Sequence, residues 1–206
     1  MCLVLLISGT VVGQENDPKV ILDKMSETYK AMPGFEIAFV QQVMSDGDVV
    51  GRISGDASVS KEKFLVRFQE QFIYCNGPIL WTYLVEDQEL TISNFEPDEQ
   101  AINPANIYDI YKEGFTFEYK RSEDIGGEMV DVIELVSTDE DADFTNIIMY
   151  IGQNDSYLKA WDLIDYDGIP TSFQVSNFVP NKSFSEGYFE FDRSKNPVDI
   201  ETDLRN

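Results

Sequence analysis

The side chains that could do chemistry in this chain are mostly carboxylates. The 206 residues include 38 Asp and Glu but no histidine. Without histidine there is no Ser–His or Cys–His pair for nucleophilic catalysis, and no histidine to ligate a metal. The carboxylates show no spacing that singles out an acid–base pair. The sequence therefore predicts a protein that is not an enzyme and needs no cofactor.

The densest acidic cluster is a candidate calcium site. Asp139, Glu140, Asp141 and Asp143 could supply closely spaced oxygen ligands. The cluster lacks the central glycine and the distal glutamate of an EF-hand loop. A solvated hairpin turn explains these residues better, and the same holds for residues 165–168. We therefore expect no bound metal.

The first 13 residues, MCLVLLISGTVVG, are apolar and uncharged. They are too short to span a bilayer but match the apolar part of a secretory leader cleaved before Gln14. The basic segment that usually opens a leader is missing, so the true start is expected upstream. The alternative interpretation is a buried N-terminal strand. With the leader removed, residues 14–206 are expected to form one domain.

Cleavage would leave Cys75 as the one cysteine, which excludes an internal disulfide. Its position in an apolar run favours a buried, inert thiol. The formal net charge is −23. Such a surface argues against nucleic acid and against anionic lipid headgroups as partners, because both attract basic proteins. The charge fits a soluble protein without stable membrane insertion.

A run of alternating apolar residues organises the middle of the chain. Phe64, Val66 and Phe68 alternate with more polar neighbours, which is typical of a strand with one buried face. Asn76-Gly77 then predicts a tight hairpin turn, since both residues tolerate positive φ. We expect neighbouring strands to build one apolar inner face from Phe39, Phe64, Val66, Phe68, Trp81, Tyr83, Leu90 and Ile92.

Two amphipathic helices are predicted to cover this face. Asp17-Pro18 and Asn103-Pro104 each combine an N-cap residue with a proline in the first turn. The second helix is short and has a broad apolar side formed by Ile107, Tyr108, Ile110 and Tyr111. The remaining patterns indicate about eleven mainly antiparallel strands in one large curved sheet. Its aromatic face is either a packed core or an apolar cavity for a lipid-like ligand.

An ordered series of short motifs runs from Asp17 to Arg205. The series comprises DPKVILDKMSETYKAMPGF, Phe39-Val40-Gln41-Gln42, Gly55-Asp56, Lys63-Phe64, Gln71, Asn76-Gly77, Leu80-Trp81-Thr82-Tyr83, Asn103-Pro104 and Asp203-Leu204-Arg205. In order and spacing these motifs resemble the LolA family of periplasmic lipoprotein carriers. The resemblance implies an incomplete, unclosed antiparallel β-barrel with a helical lid over an apolar cavity.

The resemblance also implies a function. Members of that family hold the acyl chains of lipoproteins and shuttle them through the periplasm. An inner-membrane release complex supplies the lipoprotein and an outer-membrane acceptor receives it. A monomer without enzymatic activity is therefore expected. The family often carries an arginine, linked to lid opening and transfer, in the turn before the Lys63-Phe64 strand. Lys61 is the candidate for that role here, although lysine lacks the planar fork of arginine.

Two other functions stay open from the sequence. One is a sensor or interaction protein of the same architecture that binds lipid or lipoprotein without transport. The other, a hydrolase, has the least support, because the chain has no histidine.

Overall fold

A computed structural model describes residues 16–45, 48–96 and 102–205. The leader predicted at residues 1–13 lies outside these ranges. These ranges contain one α-helix, α1 (Pro18–Lys30), and one 3₁₀ helix (Ile110–Lys112). The strands are β1 (Phe35–Ser45), β2 (Asp48–Ser60), β3 (Lys63–Phe68), β4 (Gln71–Cys75), β5 (Ile79–Leu84), β6 (Glu89–Asn94), β7 (Phe115–Ile125), β8 (Glu128–Ser137), β9 (Asn146–Gly152), β10 (Leu158–Ile164), β11 (Pro170–Val179) and β12 (Ile200–Asp203).

All twelve strands belong to one sheet, in the order β12-β6-β5-β4-β3-β2-β1-β11-β10-β9-β8-β7. The chain thus forms two antiparallel meanders, β1–β6 and β7–β11. Antiparallel pairing of β1 with β11, from Glu36 opposite Val179 onward, joins them. The outer strands β7 and β12 do not pair with each other in the described structure. The predicted unclosed, mainly β architecture is confirmed.

Both faces of the sheet carry a core. On the inner face, α1 buries Leu22, Met25 and Tyr29 in the main hydrophobic cluster together with residues of both meanders. On the outer face, a C-terminal strap (residues 180–199) packs Phe189 against Leu65 and Tyr74, and packs Phe191 and Val198 against Tyr83, Leu90 and Ile92. After the strap, β12 pairs in parallel with β6. Among the described residues, no helix is both long and apolar enough to cross a membrane.

The first predicted helix is confirmed. The Asp17 carboxylate accepts a hydrogen bond from the Lys19 amide, and Pro18 opens the helix. The prediction of the second helix is wrong. Residues 104–109 form successive turns, and only Ile110–Lys112 are helical. A segment this short gains too few backbone hydrogen bonds to offset helix nucleation.

Two strand predictions also need correction. The aromatic pattern of residues 184–192 predicts a strand, but the segment is irregular, with a turn at residues 186–189. Its aromatic side chains pack against the outer face of the sheet, where Phe189 is buried, and its backbone does not join the sheet. The described structure has twelve strands against about eleven predicted, and β12 is a strand that was missed. All four residues of β12 are exposed, so its sequence carries no apolar alternation to reveal it.

Candidate functional site

An apolar cavity of about 410 Å³ lies on the inner face of the sheet, beneath α1 and residues 102–112, here named the lid segment. Its volume falls within the range of small-molecule sites. The wall is built from Tyr29, Phe35, Ile37, Phe39, Ala57, Phe64, Val66, Phe68, Ile73, Leu80, Phe95, Glu96, Ile102, Asn103, Pro104, Ile107, Leu158, Trp161, Leu163, Phe173 and Val175. This wall suits a hydrocarbon chain better than a polar molecule.

Four of the predicted cavity residues line it: Phe39, Phe64, Val66 and Phe68. The ring of Phe39 packs edge-on against Phe68, with centroids 5.5 Å apart. Gly55 makes this arrangement possible. A Cβ on Gly55 would lie 2.7 Å from both the Phe39 ring and the Arg67 carbonyl oxygen. The glycine thus lets the aromatic ring lie close to the backbone of β2.

The other four predicted residues are not in the cavity. Tyr83, Leu90 and Ile92 form a buried cluster on the outer face with Phe191 and Val198 of the strap. Trp81 packs against the same strap. The assignment of Trp81, Tyr83, Leu90 and Ile92 to the inner face was therefore wrong. Leu80 occupies the inner position in β5 instead.

The error concerns the face on which each residue of β5 and β6 lies. Alternation shows which residues share a face, but it does not show which of the two faces is the inner one. Phe64 lies opposite Cys75, and Cys75 lies opposite Leu80, so these three residues share the inner face. Because the strap covers the other face, β4 and β5 are apolar on both sides. A strand that is buried on both faces shows no pattern to distinguish them.

The second meander supplies the part of the wall that the sequence analysis missed. Trp161 and Leu163 come from β10, and Phe173 and Val175 come from β11. These residues alternate along their strands, as expected for side chains on one face. The sequence analysis did not predict that β1 pairs with β11. This pairing places Phe173 opposite Gln41, which lies in β1 together with Phe39.

The lid segment contributes its apolar residues to the inner core. Ile107 lines the cavity, whereas Tyr108, Ile110 and Tyr111 are buried beside it. Tyr108 stacks on Tyr29 of α1, with ring centroids 4.8 Å apart. Although the predicted helix is absent, the four lid residues are buried on the inner side as expected.

A polar latch, defined by Asp23, Ser26, Lys30, Asp109 and Lys112, joins α1 to the lid segment. Asp109 accepts a hydrogen bond from Ser26 and forms ion pairs with Lys30 at 2.5 Å and Lys112 at 2.6 Å. The Tyr111 hydroxyl donates to Asp23 at 2.6 Å. Burial raises the pKa of Asp109, but the hydrogen bonds from Lys112, Lys30 and Ser26 outweigh it and hold the pKa below its usual value.

The latch should make stability depend on pH. A carboxyl whose pKa is lowered by folding stabilises the folded state above its unfolded value of 3.8, and this contribution is lost in more acidic solution. We expect Asp109→Asn to reduce the free energy of unfolding by about 1–2 kcal/mol at neutral pH. The difference from wild type should shrink below about pH 4. Urea unfolding at pH 7 and pH 3 measures both effects.

The matched control for the latch is Asp143→Asn. Asp143 is exposed in the loop between β8 and β9, so its substitution should leave stability unchanged at both pH values. Equal unfolding curves for Asp109→Asn and Asp143→Asn would show that the latch contributes nothing measurable.

Lys61 lies in the turn between β2 and β3 and adopts a positive φ of 56°. Its side chain is exposed. It lines a polar gap with Glu62, while Ala105, Tyr108 and Asp109 of the lid segment line the same gap. The structure thus places Lys61 beside the lid segment, and its role in transfer stays a prediction.

The acidic cluster at residues 139–143 lies in the loop between β8 and β9. Asp139 accepts the amide of Asp141 in a surface turn, and the Glu140 carbonyl accepts the Tyr166 hydroxyl. Within the described ranges, no group of three or more acidic or cysteine side chains is placed to hold a metal ion. Cys75 is fully buried, and burial raises the pKa of its thiol.

Comparison with known families extends the geometric result. Residues 30–192 match the family model described as "Outer membrane lipoprotein carrier protein LolA". The chain belongs to the LolA family. The match covers the last residue of α1, both meanders and most of the strap. It therefore includes the cavity and the lid segment.

Solved structures resemble this LolA-family chain at low sequence identity. An uncharacterized conserved protein from Thermus thermophilus shares the fold with a TM-score of 0.61 and 14% identity, over 91% of this chain and 98% of that one. A LolA superfamily protein from Nitrosomonas europaea gives 0.46 at 13% identity, over 84% and 97%. The lipoprotein LppX from Mycobacterium tuberculosis gives 0.48 at 15%, over 82% and 99%. No curated protein sequence matches the chain.

Proposed function

We propose that this protein is a periplasmic carrier that holds the acyl chains of lipoproteins in its apolar cavity and moves them from the inner to the outer membrane. The observation that carries the proposal is the cavity of about 410 Å³, walled by aromatic and aliphatic side chains, in a member of the LolA family. The family description names lipoprotein carriage, and the cavity provides the physical means for it.

The energetics of acyl chains explain why such a cavity is useful. A buried methylene contributes about 0.8 kcal/mol, so exposing a chain of roughly fifteen methylenes to water costs on the order of 12 kcal/mol. A carrier must shield that chain and later release it. An apolar wall with few directional bonds does both, because the chain can move to another apolar site with little change in free energy.

The charge of the protein favours transfer through protein partners. A chain with a formal net charge of −23 is repelled by anionic lipid headgroups. Cargo is therefore received from an inner-membrane release complex and delivered to an outer-membrane acceptor, both with basic docking surfaces. No catalytic step is needed, so the proposed carrier is not an enzyme.

Mass spectrometry of the natively purified protein tests this function. Organic extraction should release acylated material, and intact complexes should contain an acylated lipoprotein. The loaded protein should then pass its cargo to outer-membrane vesicles. A stable complex that never transfers its cargo would favour the sensor function. Turnover of an ester would favour a hydrolase, and a protein without apolar cargo would contradict carriage altogether.

A further inference from the structure

The cavity wall contains one polar group that the protein leaves unsatisfied. Among the described residues, the Trp161 indole Nε1 is the one buried side-chain nitrogen or oxygen without a hydrogen-bond partner. An indole N–H is a donor only. A buried donor without an acceptor is destabilising, so such a group in a native structure needs an explanation.

The surroundings of Trp161 offer no acceptor. Its ring stacks on Phe173 of β11, with centroids 4.8 Å apart and planes 5° from parallel. Its partner in β9 is Met149, whose thioether is only a weak acceptor. Leu163 and Phe39, which line the same cavity, have no polar side-chain atoms. In the empty protein Nε1 is packed among apolar neighbours with almost no surface open to the cavity, so a ligand reaches it only by displacing the side chains around it.

Two other polar side chains of the wall are already engaged. The Tyr29 hydroxyl accepts the Leu158 amide at 3.1 Å. The Asn103 side-chain oxygen accepts the Ala105 amide at 2.9 Å and so helps to shape the lid segment. These groups have structural roles in the empty protein, whereas the Trp161 donor has none.

We propose that the Trp161 N–H donates a hydrogen bond to a carbonyl oxygen of the bound lipid. The cavity then prefers acyl chains, whose ester or amide carries a carbonyl, over alkyl chains of the same length. The inference rests on the proposed function, because it assumes that the cavity holds a lipid. It goes further in assigning a residue that distinguishes acyl from alkyl chains.

The physical basis is the asymmetry of buried hydrogen bonds. An apolar wall distinguishes poorly between two chains of equal size. A buried donor discriminates against a ligand that lacks the matching acceptor, because the donor then stays unsatisfied. One such neutral bond changes affinity by about threefold to tenfold.

A matched pair of soluble lipids tests the proposal. Palmitoyl lysophosphatidylcholine carries an ester carbonyl, and hexadecyl lysophosphatidylcholine has an ether in its place. Competition against a fluorescent fatty-acyl probe, below the micelle concentration, gives both affinities. We expect wild type to bind the ester about threefold to tenfold more tightly. Trp161→Phe keeps an aromatic ring for stacking but should bind both lipids equally.

The second tryptophan provides the control and an independent measurement. The chain has two tryptophans, and Trp81 lies on the outer face under the strap. Trp81→Phe should retain the preference for the ester. In that variant the single indole N–H signal in an ¹⁵N NMR spectrum belongs to Trp161. It should move downfield with the ester lipid and not with the ether, even if Trp161→Phe fails to fold.

The outcomes separate this inference from the proposed function. Equal binding of ester and ether to wild type, with the same indole shift for both, would overturn the role of Trp161 and leave lipid carriage intact. If neither lipid nor the fluorescent probe binds, the proposed function fails and the role of Trp161 falls with it.

Discussion

Uptake of a fluorescent acyl probe should stop when the lid segment is tied to the β2–β3 turn. Lys61 and Ala105 line the same gap from these two elements, so cysteines at both positions can be joined by a cleavable bis-maleimide. The expected loss is complete, because Ile102 and Ile107 of the lid segment form part of the cavity wall. Cleavage of the linker should restore uptake. Stopped-flow fluorescence measures both states.

The cross-linking experiment has internal controls. Cys75 can stay, because it is fully buried with a raised thiol pKa and so reacts slowly. Cys2 is replaced by alanine. Each single cysteine variant, treated with the same reagent, gives the reference uptake for its position and separates any effect of replacing Lys61 from the effect of the link. Unchanged uptake in the fully linked, folded protein would mean that the lid segment does not control access.

A charge in the cavity wall should abolish acyl binding. Phe68 lines the cavity but is only half-buried, so Phe68→Asp lets water solvate the new carboxylate in the empty protein. An acyl chain would displace that water, and burying an unpaired charge costs several kcal/mol. We expect affinity for the acyl probe to fall at least about 100-fold. Fluorescence titration measures the loss.

The control for Phe68→Asp is Val50→Asp. Val50 is 64% exposed in the neighbouring strand β2, so the same carboxylate there should change neither affinity nor folding. Thermal unfolding of both variants separates loss of binding from loss of structure. Retained affinity in folded Phe68→Asp would show that acyl chains do not bind in this cavity.

Local signals in the sequence predicted local structure well. Asp17-Pro18 predicted the start of α1, and Asn76-Gly77 predicted the β4–β5 turn. There Gly77 adopts a φ of 106°, and the Asn76 side chain accepts the Ile79 amide. These features depend on a few adjacent residues, so their chemistry is visible in the sequence.

Residues of the candidate site were predictable only where the two faces of a strand differ clearly in polarity. Phe64, Val66 and Phe68 were placed correctly, because Lys63 and Arg67 mark the other face of β3, although Leu65 is buried on that face under the strap. Trp81 and Tyr83 were misplaced, because the strap buries the outer face of β5 and removes that contrast. The strap comes from residues about a hundred positions later, which no local pattern reveals.

The pairing of β1 with β11 has a consequence for the order of folding. Each meander needs only contacts between strands that are neighbours in sequence, whereas the Glu36–Val179 pairing closes a far longer loop. The cavity has Phe39 on one side of this seam and Trp161 and Phe173 on the other. A chain that contains only one meander therefore lacks part of the cavity wall. Under the proposed function, lipid capture has to wait until both meanders exist and the seam has formed.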